Sequence, residues 1–180
     1  APPPGRLGAV QIGGRWLLVV VVAALGLRVA DALPRVALNV PRGVVRAADV
    51  AALERASGRR MPVPAFFPDT IAWPPAEARL HSSGSAAIWC RLRAGGDTAL
   101  IVATAPPGAA GISDAVLPAS VDLQREPAAL GDRMLLVSRV RHADGAVWQQ
   151  VRWQAPAQII LIRYRGTLDE LLKLAGSVND

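Results

Sequence analysis

The sequence predicts an α+β fold: one N-terminal transmembrane helix, then an antiparallel sheet flanked by N- and C-terminal helices. Three observations lead to this fold class. An apolar run lies near the N-terminus, segments with helical spacing open and close the rest of the chain, and strand-like runs separated by turns lie between them. We expect a short tail over 1–12, an anchor over 13–33, a linker over 34–46 and one α+β domain over 47–180.

The anchor is predicted from residues 16–27, an uninterrupted run of 12 apolar residues between Arg15 and Arg28. Twelve helical residues rise about 18 Å, less than a hydrocarbon core of about 30 Å. The flanking residues extend the span, because both arginines can reach headgroup layers and Trp16 suits the interfacial belt. The competing interpretation is a cleavable signal peptide ending at Ala30-Asp31-Ala32. Because the segment is retained in this chain, we expect an anchor.

The composition limits the partners. Apolar residues make up 52% of the chain and charged residues 19%, which excludes a disordered tail. The net charge is +6, but the basic residues form no stripe interleaved with aromatics, so we expect no nucleic acid. Attraction to anionic lipid headgroups or to an acidic subunit fits the charge better. The single cysteine, Cys90, lies in a strand-like run and is expected in the core, with no intramolecular disulfide.

The domain is expected to open with a helix over 47–57, which Asp49 favours at its start and Gly58 can end. A closing helix follows Thr167, where Thr167 and Glu170 form a capping-box pattern. Between the helices, 105–131 is rich in Pro, Gly and Ala and is expected to be irregular. The predicted strands are 79–81, 86–93, 98–104, 133–142, 146–153 and 158–165.

A proline-rich segment over 61–75 contains five prolines, which exclude a helix and disfavour a central strand. The segment must therefore be extended, yet it carries large apolar side chains. They cover an edge of the core in one interpretation and dock onto a partner in the other, since aromatic anchors on a stiff backbone lose little entropy on binding. The candidate partner-contact residues are Trp16, Phe66, Phe67, Ile71 and Trp73.

The sequence of 61–69 (Met-Pro-Val-Pro-Ala-Phe-Phe-Pro-Asp) and the chain's ending carry a resemblance. A tryptophan strand (151–153), a final strand (159–164) and a Leu-rich helix (168–177) follow in that order. This pattern resembles small bacterial extracytoplasmic domains of unassigned function, found behind one membrane helix in sporulation and anti-sigma-type proteins. The resemblance implies a lipoprotein-carrier-like fold with a curved antiparallel sheet, and no enzyme activity. The chain lacks a His/Cys zinc motif before the membrane helix, which weighs against a transcription regulator.

The membrane orientation has conflicting signals. Counting arginines on either side of the apolar run slightly favours a cytoplasmic domain. The signal-like layout favours export, and the resemblance agrees with export. The Arg-, Ala-, Gly- and Pro-rich composition resembles that of a GC-rich bacterial genome. We therefore expect a single-pass protein of the bacterial inner membrane with a periplasmic domain.

Residues for catalysis are few. The two histidines, His81 and His142, lie near strand ends beside turns and are expected to be exposed or to cap those turns. No Gly-rich phosphate loop, serine nucleophile elbow or paired-histidine spacing occurs. We therefore expect no enzyme activity, no catalytic or metal-binding residues and no cofactor.

These observations favour a non-catalytic, membrane-anchored accessory or structural subunit of a larger bacterial membrane complex, respiratory or photosynthetic. Its expected partners are other membrane-protein subunits and the lipid bilayer. One alternative is a lipid- or ligand-binding carrier or sensor, with an apolar cavity lined by residues such as Val102, Leu136 and Ile160. A second alternative is a transmembrane regulatory protein, which would need a cytoplasmic effector.

Overall fold

The computed structural model describes residues 42–179. These residues form one eight-stranded antiparallel sheet, in the order β1-β2-β3-β4-β8-β7-β6-β5. The helices are α1 (Val50–Ser57) and α2 (Leu168–Gly176), and Asp114–Val116 forms a short 3₁₀ turn. The strands are β1 (Val44–Ala47), β2 (Glu77–His81), β3 (Ala86–Arg91), β4 (Thr98–Ala105), β5 (Ser120–Leu130), β6 (Arg133–His142), β7 (Val147–Gln154) and β8 (Ile159–Tyr164).

The predicted α+β fold class is wrong. The described residues are mostly one sheet with two short helices, rather than an α+β arrangement with a transmembrane helix. No helix among residues 42–179 is long and apolar enough to cross a membrane. The predicted anchor at 13–33, including Trp16, and the predicted tail at 1–12 lie outside the described residues.

Two of the strands replace segments that we expected to be irregular. The end of the expected linker forms β1, which pairs with β2. Within 105–131, residues 120–130 form β5, the longest strand and an edge of the sheet. An edge position explains why β5 can contain Pro127, since a missing amide N–H is tolerated where no further strand pairs. Its apolar residues do not alternate regularly, because most of its side chains face water.

The sheet has two covered faces. On one face, α1 and α2 bury Leu53, Leu171 and Leu174 against strand residues such as Ile88 and Ile162. The opposite face is covered by the covering loop, residues 106–119, which connects β4 at the centre of the sheet to β5 at its edge. Because this connection must pass across the intervening strands, it packs its own apolar side chains on them. That second core contains Ala87, Ile101, Ala103, Val116, Leu117, Val140, Trp148 and Leu161.

The first helix begins at Val50 and not at residue 47 as predicted, because residue 47 ends β1 and Asp49 is the N-cap. The Asp49 carboxylate accepts a hydrogen bond from the Ala52 N–H at 2.7 Å, and Gly58 ends α1 in the left-handed region at φ 67°. The capping box of α2 is confirmed. The Thr167 hydroxyl accepts from the Glu170 N–H at 3.3 Å, and the Glu170 carboxylate accepts from the Thr167 N–H at 3.2 Å.

Candidate interaction surface

The proline-rich segment is held to the domain at both ends by hydrogen bonds. The Ala65 N–H donates to the carbonyl oxygen of Ser177 at 3.1 Å, and the Phe66 N–H donates to the Ser177 hydroxyl at 3.1 Å. Further along, the Ala72 N–H donates to the carbonyl oxygen of Arg91 at 2.8 Å. The segment is therefore an ordered, extended connection from α1 to β2, hydrogen-bonded to the end of α2 and to the end of β3.

The four candidate contact residues within the described chain lie in different environments. Ile71 is 2% exposed and bridges to Leu92, so its side chain belongs to the core and is not available to a partner. Phe67 is half-buried against the same core, and its ring centroid lies 5.2 Å from that of Trp73. Phe66 is 41% exposed and Trp73 is 48% exposed. Phe66 and Trp73 are thus the residues of this set that offer large aromatic surface to a partner.

Ile71 and Phe67 cover the core, as one interpretation expects, while docking onto a partner stays a prediction for Phe66 and Trp73. Prolines keep the backbone extended, while Ile71 and Phe67 attach it to the core. The exposed rings therefore project from a backbone that is already ordered. Such rings pay little conformational entropy when a partner covers them, which is the property of a binding anchor.

The two histidines have different roles. His81 caps its turn as expected, since its Nδ1 accepts from the Ser83 N–H at 3.2 Å. For His142 the expectation of an exposed or turn-capping ring is wrong, because the ring is 7% exposed and stacks on Trp148 with centroids 4.5 Å apart. The cause is its direction: His142 ends β6 on the face that the covering loop protects.

A buried polar cluster surrounds His142. Arg163 is 6% exposed, its Nε donates to Gln150 Oε1 at 2.6 Å, and its Nη1 donates to the carbonyl oxygen of Pro118 at 3.0 Å. Burial lowers the pKa of Arg163, although the charges of Asp114 and Asp122 oppose that shift. The same Nη1 lies 3.5 Å from His142 Nε2.

This cluster holds His142 in its neutral form. Burial, and then the charge of Arg163, lower the pKa of His142 to about 4, against the opposing effect of Asp144. A guanidinium nitrogen can only donate, so Nε2 of the neutral ring accepts and Nδ1 carries the proton. The sequence carried a signal for this cluster that we missed: Arg163 is the one charged residue in β8, an otherwise apolar strand.

Candidates for metal or thiol chemistry are not assembled in the described part of the chain. Residues 42–179 contain no group of three or more His, Cys, Asp or Glu placed to hold a metal ion. Cys90 lies in the core as predicted, and burial raises the pKa of its thiol to about 12. A thiol that remains protonated at neutral pH is a poor nucleophile.

The three residues expected to line the cavity of a lipid carrier do not lie around one cavity. Val102 and Ile160 are fully buried in the core that α1 and α2 cover. Leu136 lies between Leu135 and Val137 on β6 and therefore faces the opposite side of the sheet. These three residues line no common cavity, which counts against the carrier alternative.

Comparison of the chain with protein-family models, with curated proteins and with solved structures found no match. The resemblance to small bacterial extracytoplasmic domains therefore stays a prediction.

Proposed function

We propose that the protein is a non-catalytic accessory subunit of a larger bacterial membrane complex and that its domain binds a neighbouring subunit through Phe66 and Trp73. The observation that carries the proposal is the exposure of these two aromatic side chains on an ordered, proline-rich backbone. Aromatic side chains such as these are enriched at the centres of protein interfaces.

Two further observations support the proposal. Leu171 and Leu174 pack in the same core as Val102 and Ile160, all four fully buried, which counts against the apolar cavity expected of a lipid carrier at Val102 and Ile160. The apolar run over 16–27, between Arg15 and Arg28, supports a location of the complex at a membrane.

The proposal is tested by site-specific photo-cross-linking in the native membrane. The photoreactive residue p-benzoylphenylalanine replaces Phe66 or Trp73 in the full-length chain, with Met134 as the control position. Met134 is largely exposed but lies on β6, outside the proline-rich segment. We expect one discrete adduct with the same subunit from positions 66 and 73, and none from position 134.

Two results would contradict the proposal. One is the same adduct pattern from all three positions, which would show that contact with the partner is non-specific. The other is the absence of adducts from positions 66 and 73, although the full-length protein is present in the membrane at its normal level.

A further inference from the structure

A cleft of about 450 Å³ opens beside His142, at one end of the sheet face that the covering loop protects. Its volume is within the range of small-molecule sites, about 300–1,000 Å³. Trp89, Trp148, Ile101 and Pro118 contribute apolar and aromatic lining. Trp148 and Ile101 are almost fully buried, so the half-buried Trp89 is the residue that offers aromatic surface to a planar ring. The polar and charged groups lining it are Asp97, Thr98, His142, Asp144 and Arg165.

The aromatic lining is held in place. The His142 ring stacks on Trp148, the Trp89 indole N–H donates to the carbonyl oxygen of Val116 at 3.1 Å, and the Arg79 guanidinium lies 3.9 Å above the Trp89 ring. These contacts fix the rings before a ligand arrives, so little side-chain entropy is lost on binding.

His142 presents a fixed hydrogen-bond donor. Its Nε2 faces Arg163, so the proton of the neutral ring is on Nδ1. In the part of the chain that the structure describes, no group accepts a hydrogen bond from this Nδ1–H. A ligand oxygen in the cleft would supply the acceptor.

Asp144 presents a complementary acceptor two residues further on. Its Oδ1 already accepts from the Ala146 N–H at 2.9 Å, which orients the carboxylate. The carboxylate lines the same cleft, and its charge is close enough to oppose the lowering of the His142 pKa. The His142–Asp144 turn thus places an N–H donor near a carboxylate acceptor.

The charges around the cleft balance. Arg165 forms an ion pair with Asp97 at 3.1 Å. Asp144 adds a negative charge to the lining, and the buried guanidinium of Arg163, which donates to Pro118 and lies 3.5 Å from His142 Nε2, adds a positive charge behind it. A neutral ligand leaves this balance undisturbed, whereas an anion or a cation would add a net charge to it.

We propose that this cleft binds a neutral, planar heterocycle that carries a carbonyl oxygen beside a ring N–H, as lactam-type and pyrimidinone-type rings do. His142 Nδ1–H donates to the carbonyl oxygen, the Asp144 carboxylate accepts from the ring N–H, and the indole of Trp89 contacts the ring. This site is independent of the proposed partner contact at Phe66 and Trp73.

The experiment is an NMR titration of the full-length protein with 2-pyridone and with uracil, following the backbone amides of residues 142–148. N-methyl-2-pyridone is the matched control probe, because it keeps the ring and the carbonyl and lacks the N–H. Benzoate and phenyltrimethylammonium test the preference for a neutral ligand. We expect saturable shifts with 2-pyridone and uracil, and roughly three- to tenfold weaker binding of the other three compounds.

Two variants separate the hydrogen bonds from the fold. His142→Phe keeps an aromatic ring against Trp148 and removes the donor, and Asp144→Asn keeps an oxygen for the Ala146 N–H and removes the charged acceptor. Each should weaken 2-pyridone binding roughly three- to tenfold, while Met134→Ala leaves it unchanged. Asp144 is exposed, so its variant tests the proposal even if His142→Phe fails to fold.

Three results would overturn the proposal. They are the absence of saturable shifts at about 10 mM probe, equal affinity for 2-pyridone and its N-methyl derivative, and tighter binding of either charged compound.

Discussion

At the scale of single residues, the burial of His142 and Arg163 could not be predicted from the pattern of the sequence. Both lie on strands that the sequence predicts, so the side of the sheet that each side chain faces could be inferred from the alternation of residues along the strand. Their burial depends on the covering loop, which crosses the sheet because β5 lies at the far edge. His142 is therefore buried and neutral because a loop distant in sequence packs over it. The one sequence feature that indicated this burial was Arg163, the single charged residue of β8.

The lowered pKa of His142 predicts a pH dependence of stability. The unfolded chain binds a proton at this histidine near pH 6.5, while the folded protein does so only near pH 4. Between these values the unfolded state binds more protons, so the free energy of unfolding falls as the pH falls. The depressed pKa contributes a loss of order 1–3 kcal/mol across this window.

Urea unfolding at pH 4.5 and pH 7 measures this effect, with His142→Phe as the comparison. The variant lacks the titrating group, so its stability should change less between the two pH values than that of the wild type. The same change in both proteins would contradict the assignment to His142.

Trp73 and Ile71 give a matched pair for the proline-rich segment. Ile71→Ala removes a core side chain and should lower the free energy of unfolding by about 2–5 kcal/mol. Trp73→Ala removes a half-exposed ring and should cost about 1 kcal/mol or less, while it weakens association with the partner at least tenfold. Denaturation curves and partner co-purification measure the two effects. A comparable loss of stability in both variants would show that Trp73 is a core residue.

At the scale of elements, local signals sufficed where local interactions decide the structure. The capping box at Thr167, the turn at Ala143-Asp144-Gly145 and the strands around it follow from side chains a few residues apart. β5 did not follow, because an edge strand with charged residues and a proline lacks the alternation that marks a strand. Those same features protect the exposed edge against unwanted pairing with another strand.

The α2 cap carries a direct prediction at this scale. Thr167→Ala leaves the Glu170 N–H without its acceptor and should lower the free energy of unfolding by about 1 kcal/mol. Thr167→Ser retains a hydroxyl and should be close to wild type. Thermal or urea unfolding measures the stability of the two variants. Equal destabilisation by Ala and Ser would contradict a capping role.

At the scale of the whole molecule, the sequence predicted most of the strands but not their order. β4 and β8 are each almost entirely buried, which is typical of central strands with both faces covered. Their pairing joins two four-stranded meanders and depends on contacts about 60 residues apart. Because β1 and β5 were expected to be irregular, we underestimated the share of strand and overestimated the share of helix. The predicted α+β fold class is wrong for this reason.

The proposed interaction surface was predictable only in part. The proline count and the aromatic content marked the segment 61–75, and they could not separate Ile71, which packs inward, from Phe66 and Trp73, which face water. That division depends on how the segment packs between its hydrogen bonds to the end of α2 and to the end of β3.

The central claim, that this domain is one part of a larger membrane complex, is tested most directly by purification of the full-length protein from its native membrane in mild detergent. The mass of the detergent-solubilised particle is measured for the wild type and for Trp73→Ala. We predict that the wild type elutes in a stoichiometric complex with other subunits and that Trp73→Ala loses one of them while its domain stays folded. A wild-type protein that elutes alone, with only detergent around it, would contradict the claim.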